Sequence, residues 1–295
     1  LKDSILYPTF FKSDYDKMPV GERKNNKKIT ELGDLMMNWK NFFRTIVVMW
    51  GTFLLYKIVT LSLLYTLPNL QSKPYYELVY FLIVTAISIF IVRLTKNSFG
   101  VEINFSPVIT KPKKNILIFV VPFILFGIDF IGGIADVFRQ PVYLIIVSFA
   151  SALGAGLFEE IRDRGFGTIG FNSSFPNSKW KPLIIALCTS FLFCTTHYLN
   201  LLMPIAPSLE AVNQQVVYTF FMGLVFSVLS MRTGTIFYAT LFHSMNNLSP
   251  WTPTSDLASV SSWSNVLIIY GLVPLLYTLW CLRPSKEIQM TNSQI

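Results

Sequence analysis

The sequence predicts an all-α protein: a polytopic membrane helix bundle of about eight transmembrane helices, with both termini in the cytoplasm. Three observations predict it. The chain has 295 residues, 52% of them hydrophobic and only 14% charged, with a mean hydropathy of +0.50, where a soluble domain would be about a quarter charged. The apolar residues fall in continuous runs of about twenty, the length a helix needs to cross hydrocarbon. Strands of a membrane barrel would instead show alternation over about ten residues. Third, Lys and Arg are sorted by loop. If eight runs cross alternately, 21 of the 24 basic residues fall on the side of the N-terminus, two (Lys73 and Arg139) on the other, and Lys57 lies within a span. Such a bias marks the basic side as cytoplasmic. It also leaves no basic stripe apart from the membrane flanks, so the net charge of +8 is not a nucleic-acid signal.

The elements follow in order. Residues 1–43 read as a basic cytoplasmic tail. No apolar core follows a charged region within the first thirty residues, so no cleavable signal peptide is expected. Leu32, Leu35, Met36, Trp39 and Phe43 recur at three- and four-residue spacing, which predicts an amphipathic helix at the membrane surface with Thr30 as its N-cap. The transmembrane domain is expected over 44–282, with spans near 44–66, 76–94, 115–135, 141 into the charged cluster, 183–203, 215–231, 235–250 and 263–282. Residues 283–295 form a second cytoplasmic tail. Arg232-Thr233-Gly234 leaves room only for a tight hairpin between the sixth and seventh spans. Lys57 and Asp129 are intramembrane charges that can pair with each other. Cys188, Cys194 and Cys281 lie in apolar runs without CxxC spacing, so neither a disulfide framework nor a zinc knuckle is indicated.

One stretch breaks the apolar pattern. Glu159-Glu160-Ile161-Arg162-Asp163-Arg164 carries five charges in six residues. Ionisable groups persist in hydrocarbon mainly when they pair, line a wet cavity or do chemistry. If the stretch is helical, Glu160 and Arg164 stand at i,i+4 in the favourable order. Glu159 points about 100° away, so the two carboxylates meet different environments, which is how acid and base roles are assigned. The only two histidines are His197, at i+4 from Phe193, and His243, at i−4 from Asn247; both lie in apolar spans and each needs a polar partner there. Asn247 adds an amide donor suited to an oxyanion. Depths along the helices agree only if the helix bearing Glu159 continues to about Thr168. The charged stretch is then buried helix lining a cavity open to the cytoplasm, rather than a solvated loop ended by Gly165.

Glu159-Glu160-xxx-Arg164, Phe193-xxx-His197 and His243-xxx-Asn247, in that order on successive helices, resemble the three motifs of the CPBP intramembrane endopeptidases, which include CAAX prenyl proteases and the bacteriocin-processing or bacteriocin-immunity (Abi) proteins. The resemblance covers about 141–250. It implies proteolysis within the membrane. Glu159 would activate water with His197 beside it, His243 and Asn247 would stabilise the oxyanion, and Glu160, Arg164 and Phe193 would support them. Arg162-Asp163 departs from the family pattern, which commonly has an apolar or aromatic residue before the arginine. The expected cofactor is none. The alternative is zinc on Glu159, His197 and His243, a set that leaves one position open but lacks HExxH-type spacing. Expected partners are the lipid bilayer and a membrane-associated peptide or protein reached from the cytoplasm, with no nucleic acid. The expected location is a cell membrane, multi-pass, bacterial plasma membrane in particular, with bacteriocin processing or self-immunity as roles. A catalytically silent scaffold or regulator of the same fold, and a proton-coupled transporter, are the other two readings; the second predicts inverted repeats, which the sequence does not show.

Overall fold

A computed structural model describes residues 36–67, 69–109, 117–252 and 260–283. Within them the secondary structure is helical, with no strand. Eight helices stand where eight apolar runs were expected: α1, Trp39–Thr66; α2, Tyr75–Phe99; α3, the bent run 120–138; α4, Val142–Asn172; α5, Lys181–Leu202; α6, Leu209–Thr233; α7, Phe237–Asn247; and α8, Trp263–Cys281. Six are long and apolar enough to cross a membrane, and α3, bent by 47°, makes a seventh if its two pieces form one span. α7 is the exception to the expected eight. Its 11 residues reach about 16 Å at 1.5 Å per residue, well short of a hydrocarbon core of about 30 Å. Pro250 disfavours helical backbone at Ser249, so the chain leaves the helix after Asn247 and goes on as irregular chain to Trp251.

α1 also begins differently from expectation. Asn38 caps it, its side-chain oxygen accepting the Asn41 N–H at 3.1 Å. Met36 lies before the helix, and Trp39 and Phe43 are part of the spanning helix itself. Leu32, Leu35 and Thr30, the rest of the expected surface helix, lie outside the described residues.

The bundle is built around α4 and α6. α6 is the most enclosed span, with 67% of its apolar window buried; it packs on α5, α7 and α8, while α4 packs on α2 and α7. Outward-facing residues are large and apolar, among them Val47, Ile58, Leu82, Val142, Leu267 and Leu276. A surface of that kind matches lipid, where apolar contact costs nothing.

Hydrogen bonds between chain-distant ends define two faces of the bundle. On the first, the Asn38 N–H donates to Ser174 O at 2.8 Å, Arg44 to Ser98 O at 3.2 Å, Ile236 N–H to Asn104 O at 3.0 Å and the Tyr238 hydroxyl to Pro107 O at 2.6 Å. On the second, the Tyr65 hydroxyl donates to Leu202 O at 3.2 Å, the Trp251 N–H to Gln140 Oε1 at 3.1 Å and Gln214 Nε2 to Ser261 O at 2.7 Å. The Tyr277 hydroxyl near the end of α8 donates to Ile118 O at 2.6 Å, next to Phe119, whose ring packs on Tyr238 of the first face. The start of α1 and the end of α8 therefore share the first face.

Candidate active site

The charged stretch is helix, not loop. α4 is regular from Val142 to Glu160, widens to a π-helix over Ile161–Gly167, and closes as α-helix over Thr168–Asn172. It runs four residues beyond the expected Thr168. Every residue from Glu160 to Gly170 is buried, and Glu160, Asp163 and Arg164 have no exposed surface. Such π segments recur at functional sites. Here the wider turn changes which side chains meet.

Arg162 and Asp163 pair with each other. Arg162 donates to Asp163 through Nε at 2.9 Å and Nη2 at 2.7 Å. The guanidinium of Arg162 also lies over the rings of Phe53 at 4.8 Å and Phe158 at 5.4 Å. Arg164 donates to Glu160 Oε1 at 3.1 Å and to Gly223 O at 2.8 Å, with Asp163 Oδ2 at 3.7 Å, and lies over Phe193 at 4.9 Å and Phe226 at 5.5 Å. Two guanidinium groups thus face Glu160 and Asp163 in the buried interior. Buried ions of this kind persist only when paired and hydrogen-bonded, and aromatic faces add cation–π attraction.

His243 on α7 reaches both glutamates. Its Nδ1–H donates to Glu160 Oε1 at 2.8 Å, since a carboxylate paired with arginine is an acceptor. Its Nε2 lies 3.3 Å from Glu159 Oε2, a contact that needs one proton between the two atoms. The ring stacks on Phe226, with centroids 4.8 Å apart and 15° between planes. His197 sits at the start of a 3₁₀ turn, Thr196–Leu202. Its Nδ1–H donates to Phe193 O at 3.2 Å, a carbonyl that can only accept, so the neutral ring keeps its lone pair on Nε2. The Phe193 ring is edge-on to both imidazoles, 5.0 Å from His197 and 5.9 Å from His243. The sequence set His197 beside Glu159; the direct contact in the fold is between His243 and Glu159.

Glu159, His197, His243 and Asn247 line one cavity of about 370 Å³. Glu160 and Arg164 stand behind it. Asn247 ends α7, its Oδ1 accepting from Asn246 Nδ2 at 3.4 Å, while Asn246 Oδ1 accepts from the Tyr218 hydroxyl at 2.6 Å. The cavity also takes in Lys57, Glu77 and Asn200. Lys57 is buried and donates to Asn200 Oδ1 at 2.8 Å; its expected partner, the Asp129 side chain, lies outside the description. The lining includes Tyr76 and Glu77 in the first turn of α2, Asn200 near the end of α5, Gln215 in the second turn of α6, and Asn246 and Asn247 at the end of α7. The ends of α2, α5 and α6 belong to the second face, and α7 ends inside the bundle. The lining leads from Glu159 towards these helix ends, and the buried charges of α4 stand behind it.

Among the described residues no three His, Cys, Asp or Glu side chains are grouped as metal ligands: Glu159 and His243 meet, but His197 is turned to Phe193 O. Cys188, Cys194 and Cys281 are free thiols. Motif spacing did not reveal Phe226 or two glycines. A Cβ on Gly223 would lie 2.9 Å from both Arg164 Nη2 and Ser190 Oγ, and one on Gly156 would run into Ser244 Oγ, beside His243. These glycines let α6 and α7 close on α4, a requirement set by neighbours distant in sequence.

Fold and site together define a multi-pass membrane protein with a polar, charge-lined cavity inside its helix bundle. Residues 141–249, a little over a third of the chain, match the family model described as type II CAAX prenyl endopeptidase Rce1-like, so this region is similar to the CPBP/CAAX proteases. The match runs from α4 through α7 and contains every candidate site residue. No curated protein and no solved structure matches the chain.

Proposed function

We propose that the protein is an intramembrane endopeptidase that hydrolyses a peptide bond in a membrane-associated protein or peptide without a metal. One observation carries this reading: His243 is held between the two glutamates at the wall of a cavity that His197 and Asn247 also line. Glu159, with one oxygen on His243 and the other free, takes a proton from a water held against the Nε2 lone pair of His197. The hydroxide adds to the scissile carbonyl carbon. Once Glu159 is protonated, the doubly protonated His243 turns its Nε2–H from that carboxyl to the oxyanion, joined by the Asn247 amide, donors that act where charge develops. Glu159 then gives its proton to the amide nitrogen as the C–N bond breaks, an acid–base exchange within one residue. Glu160 and Arg164 are positioning residues. Bacterial plasma membrane is the location this reading favours, and maturation of a bacteriocin-like peptide or self-immunity its narrowest form.

The test is cleavage of a labelled membrane peptide by purified protein in lipid. Glu159→Gln and His197→Ala should each lower kcat by about 10²–10⁴, the share of general acid–base catalysis, while strong chelation leaves wild-type activity unchanged. Equal cleavage by wild type and both variants would overturn the assignment of the site; loss of activity on chelation would overturn the metal-free mechanism.

A further inference from the structure

We infer that substrate reaches Glu159 from the extracytoplasmic side, through the second face, so that the peptide cleaved is one presented there. This goes with the peptidase reading but stands on separate observations. The cavity wall ascends from Glu159 and His243 through Ser151, Asn200 and Gln215 to Tyr76 and Glu77, and these last two lie in the first turn of α2, directly after the turn Leu70–Ser72. In the other direction stand the buried charged side chains of α4. Glu160, Asp163, Arg164 and Phe166 have no exposed surface and Arg162 has 1%, so buried side chains of α4 form the floor of the cavity on that side.

The second face is also the face poor in basic residues, holding Lys73 and Arg139. Arg162 and Arg164, counted in the sequence among first-face charges, prove to be buried in the bundle, and removing these two from the 21 leaves 19 basic residues for the first face and its tails against Lys73 and Arg139 for the second. The bias in the sequence count remains strong, and such a bias marks the basic side as cytoplasmic. The charged plug of α4 then serves as the cytoplasmic floor of the site, and the polar mouth at Glu77, Asn200 and Gln215 faces outward.

Accessibility of single cysteines tests this without any need for hydrolysis. In a chain with Cys188, Cys194 and Cys281 replaced by Ala, one cysteine is introduced at a time: Ser151→Cys in the cavity, Lys73→Cys on the second face and Ser178→Cys on the first. Ser151 lies eight residues from Glu159, about 12 Å along α4. Right-side-out vesicles are treated with a charged, membrane-impermeant methanethiosulfonate. Ser151→Cys and Lys73→Cys should react before permeabilisation and Ser178→Cys only after it. Reaction of Ser151→Cys only after permeabilisation, together with Ser178→Cys, would overturn the inference in favour of cytoplasmic entry. Reaction from neither side would overturn it in favour of entry through lipid. Failure of the peptidase reading would show separately, as wild-type protein that labels in the expected pattern but cleaves nothing.

Discussion

Glu160→Gln is the substitution whose outcome the site defines most tightly. Glu160 Oε1 accepts from Arg164 Nη1 at 3.1 Å and from His243 Nδ1 at 2.8 Å, while Oε2 is buried with no hydrogen-bond partner. A glutamine that keeps its oxygen at the Oε1 position preserves both contacts but buries an NH2 group where no acceptor stands. Flipped, it sets the NH2 against two donors. Either way a polar group goes unsatisfied, at about 1–3 kcal/mol. Arg164 also loses its countercharge, keeping Gly223 O at 2.8 Å and Asp163 Oδ2 at 3.7 Å, the latter already engaged by Arg162. Breaking a buried pair from one side costs about 3–5 kcal/mol, and the combined loss should fall in that range. The measurement is equilibrium unfolding in mixed micelles. A second readout follows from the role of Glu160 in holding His243: kcat on the labelled peptide should fall by about 10²–10³, as when an oxyanion donor is displaced. A variant that unfolds within about 1 kcal/mol of wild type, the size of an ordinary substitution, and cleaves at the wild-type rate would refute the reasoning.

Three further outcomes follow from the same packing. Gly223→Ala places a methyl 2.9 Å from Arg164 Nη2 and from Ser190 Oγ; overpacking of this kind costs about 1–3 kcal/mol, and loss of the Arg164–Gly223 bond should appear as weaker unfolding midpoints and a slower reaction. Phe226→Ala removes a side chain 2% exposed that is stacked on His243, and unfolding should show a loss of about 3–5 kcal/mol. Lys57→Met is expected to behave oppositely. The Lys57 ammonium is buried against an amide oxygen, a thioether and the rings of Phe53 and Tyr56, all neutral, so an apolar side chain of similar length should leave stability unchanged within about 1 kcal/mol or raise it. A clear destabilisation by Lys57→Met would show that the ammonium has a charged partner.

The sequence by itself determined the all-helical membrane architecture, because hydrocarbon imposes long apolar runs that can be counted residue by residue. It also determined the Glu160–Arg164 contact and the Phe193–His197 contact, each four residues apart on a single helix and therefore fixed by local geometry. That α4 continues through Arg162 and Asp163 was legible from the depths of the histidines. The tertiary structure decided the rest. Arg162 pairs with its neighbour Asp163 inside a π-helical turn, whose register regular helical spacing does not give. The contact of His243 with both glutamates joins positions 83 and 84 residues apart, and the stack of Phe226 on that ring depends on how close Gly156 and Gly223 let three helices approach. The short α7, ending at Asn247 inside the bundle, replaced an eighth full span, since hydropathy measures how apolar a segment is and not how far its helix extends. The direction in which the cavity opens likewise followed from tertiary structure: it depends on which helix ends lie together and which charges fill the space between them, and no single segment of the sequence carries that information.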